Sequence, residues 1–437
     1  MNIILLSGGI GKRLWPLSNG VRSKQFIKLF KNENGEYESM LQRVYHQIIM
    51  ADNNAKIMVA TSKTQVSAIK NQLGENVSVC VEPYRKDTFP AIVLAVTYLH
   101  EKFGVSRDEI IVVCPVDPYV DNSYYEAIKD LQQIAKNRKA NLTLMGIEPV
   151  YPSEKYGYII PKSGDIVSEV VEFKEKPDIG MAKKYISMNA LWNAGIFAFK
   201  TGYLLDKAHN IIEFNDYNDL FNKYSTLDRI SFDYAVSEKE KNIQVLRYGG
   251  FWKDIGTWNT MSEVMVDKTK GKVILDSNCN NTNVVNELNI PVLCMGCSNM
   301  VIAASGDGIL VSDKEYSGYI KPYVEMLGTE AMYAEKSWGN YSVVDSHPGS
   351  MLIRVSMKSG ESMSYHMHSY RKEVWTVISG KGKAIIDGKE QILQTGDVVT
   401  IMAGCKHMVE AITELDIIEI QIGEIISASD KIKYFLP

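Results

Sequence analysis

The chain has 437 residues, too many for one ordinary hydrophobic core, so two or three domains are expected. Apolar residues make up 45% and charged residues 23%, the balance of a soluble globular protein, and a net charge of -4 excludes a broad nucleic-acid surface. The start, MNIILLSGG, has no basic leader, and no stretch nears the ~20 apolar residues of a membrane helix. Six scattered cysteines read as free thiols, so a cytoplasmic location without membrane or nucleic-acid partners is expected.

From residue 1 to about 265, short apolar runs alternate with amphipathic segments. NIILL, AKIMVAT, VSVCVEP, EIIVVCPVD and NLTLMGI read as buried strands; ESMLQRVYHQIIM, TQVSAIKNQL and AIVLAVTYLHEKF carry helical spacing. This alternation predicts a Rossmann-like α/β domain over residues 1–265, with a mostly parallel sheet and helices on both faces. Residues 266–330 change to short β runs separated by Asn, Asp and Gly, which suggests a small β-helix-like unit. Its CMGC, Cys294 to Cys297, lacks the second cysteine pair of a zinc site and reads as buried small residues. Residues 331–437 form the last module: around 326–350 the composition reads as loop, and from 351 onward alternating β runs return with regular glycine turns, as in an all-β sandwich or barrel.

Chemistry gathers in the first and third modules. LSGGIGKRLWPLS follows the first strand, and its Gly8, Gly9 and Gly11 let backbone N–H groups approach an anion, with Arg13 as the nearest charge. The spacing fits neither a P-loop nor a GxGxxG dinucleotide motif. Asp117 ends a strand at the same expected edge, and Asp254 lies in GGFWKDIGTW. Two carboxylates beside a triphosphate would suit Mg²⁺, which takes few protein oxygens and keeps phosphate ligands. FKEKP adds Glu175 and Lys176 after a strand, and LWNAGIF adds Asn193 before another.

GGIGKRLWPLS with SKQF, EPYRKDTFPAI, CPVD, YGYII, FKEKP, WNAGIF, FDYAVSEK and WKDIGTW occur in that order. Together they resemble the mannose-1-phosphate guanylyltransferase family of sugar-1-phosphate nucleotidyltransferases. The resemblance implies in-line attack of a sugar 1-phosphate, most simply mannose 1-phosphate, on the α-phosphate of GTP, giving GDP-mannose and pyrophosphate. It places Ser7 with the three glycines in the nucleotide loop, Arg13 on the β/γ-phosphates and Lys24 near the α-phosphate. Asp117 and Asp254 would hold Mg²⁺, and Lys176 would bind the sugar phosphate. Glu175 and Asn193 would meet sugar hydroxyls, Gly157 would leave room for the ring, and Glu82 and Lys86 would lie near the nucleoside. Ser23, Lys86-Asp87-Thr88 and Pro118 depart from the family's Pro, Arg-Asn-Thr and His, which leaves another base or sugar open. A catalytically silent sugar-nucleotide sensor is the contrasting reading, opposed by the retention of Arg13, Lys24, Asp117, Lys176 and Asp254 together.

Three of the seven histidines fall between 366 and 407. His366 and His368 share a strand face, Glu373 follows a short turn, and His407 returns from a later strand, a set suited to Zn²⁺ or another divalent transition metal. With Gly360 and Gly380 these residues resemble the cupin pattern, so a small jelly roll is expected. RKEVW and IIEIQIG resemble the type II mannose-6-phosphate isomerase domain, whereas the family's acidic tail is replaced by SASDKIKY. An active isomerase and a structural or dimerising cupin both follow from this, and a homodimer is expected.

Overall fold

The computed structural model describes residues 1–9, 11–137, 140–327 and 331–435; the boundary expected at 330 lies outside the described residues. The chain divides into two compact units. Met1–Gly9, Gln25–Gly256 and Glu263–Val266 form the first, and Ile10–Lys24, Thr257–Ser262 and Asp267–Pro437 form the second. Among the described residues no helix is long and apolar enough to cross a membrane.

The first unit is built on a nine-stranded sheet. Its order is Ser78–Glu82, Lys56–Ser62, Asn2–Leu6, Ile110–Pro115, Leu191–Lys200, Leu142–Ile147, Ile243–Tyr248, Val167–Lys174 and Tyr158–Pro161. The first four run parallel, and Leu142–Ile147 is parallel to Ile243–Tyr248. Leu191–Lys200 runs antiparallel to both of its flanking neighbours, and Tyr158–Pro161 and Val167–Lys174 form an antiparallel pair. The sheet is therefore mixed, not mostly parallel as expected. For the outer pair the reason is local: Pro161 and Val167 are joined by a short connection, and so short a connection can only join antiparallel strands.

Alternation along each strand divides the core between the two faces. Ile4, Met58, Cys80, Ile111 and Val113 join one cluster with the fully buried Ile92, Val93 and Val96 of helix Thr88–Phe103. That helix packs with helices Thr201–His209 and Tyr217–Lys223, while helix Ser123–Asn137 packs with helix Met40–Ala51. Helix Met40–Ala51 starts on a capping box: Ser39 Oγ accepts from Gln42 N–H at 3.1 Å, and Gln42 Oε1 accepts from Ser39 N–H at 3.1 Å.

In the second unit, Thr269–Lys270, Asn283–Asn286 and Met300–Ser305 stack in parallel. Val273–Leu275 and Val292–Cys294 form a second parallel pair, so successive coils lie over one another as in a β-helix. Cys294 is buried against Val284 and Ile302, with Cys297 and Cys279 packed beside them; all six cysteines are free.

Residues 333–433 form two antiparallel sheets. One orders Tyr333–Lys336, Gly339–His347, Ser350–Met357, Leu415–Gly423, Arg371–Ser379 and Val398–Ile401. The other orders Lys389–Gln394, Lys381–Ile386, His407–Ala411, His366–His368 and Lys431–Lys433. Val355, Trp375 and Ile417 from the first meet Ala384, Leu393 and Val409 from the second in one apolar core, the layering of a jelly roll.

Candidate active site and metal centre

Strand Asn2–Leu6 lies between Lys56–Ser62 and Ile110–Pro115. The chain leaves it toward one side and later returns on the other, which opens a crevice at the carboxyl ends of the strands. Leu6 stands opposite Pro115, so the segments beginning at Ser7 and Val116 leave the sheet side by side. Ser7 is buried and held from several directions: its N–H donates to Ala60 O at 2.9 Å, and Gln25 Nε2 donates to its Oγ at 3.1 Å. Gln65 Nε2 donates to Gly9 O at 3.3 Å. Gly8 faces Glu82, whose Oε1 lies 3.3 Å from where a Cβ would stand. Burial pushes the Glu82 carboxyl up, and its Oε2 accepts from Tyr224 OH at 3.1 Å. The backbone carbonyl of Lys86 accepts from Ile230 N–H at 3.1 Å, fixing the chain just before Asp87.

Beyond the same edge, Pro118–Val120 pairs antiparallel with Trp252–Asp254, and Asp254 stands opposite Pro118. That register brings Asp117 and Asp254, far apart in sequence, onto one cavity of about 200 Å³. Gly157, Glu175 and Asn193 line it too, with Lys155, Tyr156 and Trp252. Burial, then the charges of Asp254 and Asp117, push the Tyr156 phenol up.

Gly157, Glu175, Lys176 and Asn193 are linked by close contacts and hydrogen bonds. A Cβ on Gly157 would lie 2.5 Å from Glu175 Oε2, so any side chain there would displace the carboxylate. Lys176, at a φ of 45°, turns back to donate from Nζ to Glu175 Oε1 at 2.6 Å. Burial works against the Lys176 charge, but the Glu175 carboxylate outweighs it and holds the ammonium above its ordinary value. Asn193 N–H donates to Gly157 O at 2.8 Å, and its Nδ2 donates to Asp233 Oδ1 at 2.8 Å. Burial and the neighbouring Glu175 charge push Asp233 up to about 7.

Arg13 and Lys24 belong to the second unit. There Gly11, at a φ of 66°, passes so close to Lys24 that a Cβ would meet its Cβ and Cγ at 2.7 Å. Ser18 Oγ donates to Gly11 O at 2.6 Å, and Arg13 is exposed.

In the jelly roll, His366, His368 and His407 are buried, and each offers a ring nitrogen within 4.8 Å of the others. His366 pairs with His407 across adjacent strands. Each Nδ1 faces a backbone carbonyl: Ser364 O at 2.6 Å for His366, Asp430 O at 3.0 Å for His368 and Cys405 O at 3.0 Å for His407. A carbonyl only accepts, so each Nδ1 carries the proton and each Nε2 presents a lone pair. Glu373 Oε1 lies 3.1 Å from His368 Nε2, and its Oε2 lies 3.3 Å from His407 Nε2. His407 Nε2 is buried without a hydrogen bond. The Arg371 guanidinium answers part of this cluster, with Nε 3.3 Å from Glu373 Oε1 and Nη2 3.1 Å from His368 Nε2; imidazoles anchored through Nδ1 are the usual way of orienting metal ligands. The three histidines therefore form a group that could hold a metal ion, with Glu373 against two of them.

Several residues here were not singled out from the sequence. Asp233 and Glu238, whose Oε1 accepts from Glu175 N–H at 2.9 Å, both lie within the quoted FDYAVSEK. Glu419 and Lys431 share the cavity of about 300 Å³ around the histidines. Burial and Glu373 push Glu419 up to about 8, while desolvation of its ammonium inside the cavity brings Lys431 down although its strand is exposed. Asp430, the surviving acid of the tail, accepts from the N–H groups of Ser369 and Tyr370 at 2.9 and 3.2 Å, and its carbonyl orients His368.

Fold and cavities together define a doubly wound α/β domain with an acidic cavity at its carboxyl edge, and a cupin whose three histidines could hold a metal. The nucleotidyl transferase family model matches residues 2–271, and that of the mannose-6-phosphate isomerase C-terminal domain matches residues 328–435. The mannose-1-phosphate guanylyltransferase of Klebsiella pneumoniae is 27% identical, over 98% of this chain and 98% of its own. A protein of the same name from Escherichia coli is 28% identical with the same coverage. A crystal structure described as mannose-1-phosphate geranyltransferase from Thermus thermophilus has a TM-score of 0.61 at 25% identity, covering 75% of this chain and 99% of that one. The chain belongs to the nucleotidyl transferase family, and it is an enzyme of that class.

Two measurements follow from the geometry. Asp233 is raised from 3.8 to about 7, so across that window the folded state holds a proton that the unfolded state has released. Rising pH therefore costs stability, and Asp233→Asn removes the cost. Thermal melts from about pH 5 to about pH 8 should show the parent losing ground to the variant; parallel curves would contradict the raised carboxyl. At the cupin, equilibrium dialysis against Zn²⁺ or Co²⁺ should give about one ion per chain. The double variant His366→Ala/His407→Ala should bind none there while keeping its circular dichroism.

Proposed function

We propose that this chain joins a sugar 1-phosphate, mannose 1-phosphate above others, to GTP, forming GDP-mannose and releasing pyrophosphate. The cavity lined by Asp117, Asp254, Glu175, Asn193 and Gly157 carries this reading, because it sets acidic metal ligands beside groups suited to a polyhydroxylated ring. The names of the full-length relatives supply the substrate pair.

A sugar phosphate is already an anionic nucleophile, so the reaction needs no strong base and no covalent intermediate. Its oxygen forms a bond to the α-phosphorus as the bond to the bridging oxygen of pyrophosphate breaks. What the protein supplies is alignment and charge neutralisation. Lys176 meets the sugar phosphate, while Glu175 and Asn193 hold ring hydroxyls against the space left by Gly157. Ser7 and the backbone N–H groups of Gly8, Gly9 and Gly11 cradle the nucleotide phosphates, with Arg13 on the leaving pyrophosphate and Lys24 toward the α-phosphate. Glu82 and Lys86 lie toward the nucleoside. Asp117 and Asp254 would hold Mg²⁺, which neutralises phosphate charge when bound.

The test is pyrophosphate release across a panel of nucleoside triphosphates and sugar 1-phosphates. GTP with mannose 1-phosphate should turn over fastest; turnover with another triphosphate and none with GTP would refute the base assignment. Asp117→Asn should lower kcat by about 100-fold or more, and Lys176→Met should raise KM for the sugar phosphate roughly tenfold.

A second reading concerns the cupin cavity, where Glu419 and Lys431 lie with the histidines. A buried carboxyl group pushed up to about 8 and a lysine amine on the same cavity are suited to moving a proton between adjacent carbons, as an aldose–ketose isomerase must. Conversion of fructose 6-phosphate to mannose 6-phosphate with added divalent metal should be measurable and should be lost in Glu419→Gln. No conversion with any metal leaves the cupin a structural module.

A further inference from the structure

The segment from Gly11 to Lys24 is held at several points by parts of the second unit far away in sequence. The Trp15 carbonyl accepts from Trp258 Nε1 at 2.9 Å, and the Pro16 carbonyl accepts from Ser305 Oγ at 2.7 Å. Asn19 Nδ2 donates to Asp307 Oδ2 at 2.7 Å, while Asn19 Oδ1 accepts from the N–H groups of Val21 and Arg22 at 2.8 and 2.6 Å. Arg22 grips Glu287 with both terminal nitrogens, at 2.6 and 3.0 Å. Its side chain is only 13% exposed, so this fork is shielded from solvent, unlike an ordinary surface ion pair.

Two of these residues also reach the first strand of the cupin. Asp307 Oδ1 accepts from Met332 N–H at 2.7 Å, so one carboxylate holds the loop with one oxygen and the start of the jelly roll with the other. The Arg22 guanidinium stands 5.3 Å from the centre of the Tyr333 ring, and Glu335 adds a favourable charge. Gly11 is pressed against Lys24, so a shift of Arg22 moves the backbone next to Lys24 and disturbs that contact.

We infer that Arg22 and Asp307 are positioning residues for nucleotidyl transfer: they fix the loop that presents Arg13 and Lys24 to the nucleotide, and they make that fixing depend on the cupin through Met332 and Tyr333. This rests on reading the loop as the polyphosphate site. Neither residue need touch substrate. Each sets the register of a segment whose own strands and helices are too short to hold it, since its regular structure amounts to Lys12–Leu14 and the start of Lys24–Phe26. The β-helix-like coils then act as the mount for a catalytic loop, and the cupin as its brace.

The experiment is a calorimetric titration of the full chain with GTP and Mg²⁺, with inorganic pyrophosphate as a base-free probe, alongside steady-state kinetics. Arg22→Met and Asp307→Ala should each weaken both ligands roughly tenfold, the scale of a lost charge-assisted hydrogen bond. Tyr333→Leu should weaken them about 2- to 5-fold. KM for GTP should rise while KM for the sugar 1-phosphate stays within about twofold of the parent, a split that general destabilisation would not produce. The conservative Asp307→Asn and Arg22→Lys test the same contacts with less disturbance of the fold, and should recover part of the loss. Arg13→Ala separates the two levels. If it weakens pyrophosphate binding while Arg22→Met and Asp307→Ala bind as the parent does, the positioning role is wrong and the loop reading stands. If Arg13→Ala itself binds as the parent does, the loop reading fails and the positioning role with it.

Discussion

The crevice beside strand Asn2–Leu6 is the constraint from which the rest of the first unit follows. A strand flanked by one neighbour formed before the return crossover and another formed after it must leave its carboxyl end uncovered. Both loops that leave there begin at paired residues, Leu6 and Pro115. Ser7 and Val116, and with them Gly8–Gly9 and Asp117, are thus set beside each other by backbone register alone, before any side chain is chosen. The short Pro118–Val120 to Trp252–Asp254 ladder then imports Asp254 from a distant part of the sequence. Phosphate chemistry needs opposing charges held at fixed separations, and ladders hold separations better than loops do.

The cupin reaches a comparable end by a different physical route. The α/β site balances acids against lysines, as Glu175 does with Lys176. The jelly roll instead concentrates acceptors: three imidazole lone pairs and Glu373 share a buried space. Trp375 Nε1 and Arg371 Nε donate to the two oxygens of Glu373, and Arg371 Nη2 lies 3.1 Å from His368 Nε2. Donors from the protein therefore satisfy part of the cluster but leave His407 Nε2 without one. Such a site is costly to bury unless a cation completes it.

Much of this was legible because the motifs put chemistry next to strand ends. NIILL before the glycines and EIIVVCP before Asp117 were apolar runs of strand length, and the edge they share followed from alternation alone. His366 and His368 were legible for the same reason, since a period of two sets both on one face. What sequence could not show was register. Asp233 joins the Glu175–Asn193 cluster through a hydrogen bond from the distant Asn193, and Glu419 meets Lys431 only because separate sheets close over one cavity. The mixed sheet escaped notice because the parallel half carries the strong periodic signal. The membership of Arg13 and Lys24 in the second unit was equally hidden, being decided by Ser305, Asp307 and Trp258 far downstream.

The departures from the family pattern differ in physical weight. Asp87 stands where the family has Asn, at a φ of 74°, and its Oδ1 accepts from Thr88 N–H at 2.8 Å to cap helix Thr88–Phe103. Asn and Asp are the residues that tolerate positive φ and cap in this way, so the exchange preserves the backbone and adds a negative charge where the helix dipole favours it. It says little about the base. Pro118 is another matter. It follows Asp117 directly and opens the strand that pairs with Asp254, a position where proline is tolerated because it begins the ladder. A histidine there would bring a side-chain donor to the cavity wall; proline brings none and fixes φ beside the acidic pair. That wall instead presents Lys155, Tyr156 and Trp252, an aromatic and cationic face on the same cavity as the acidic pair.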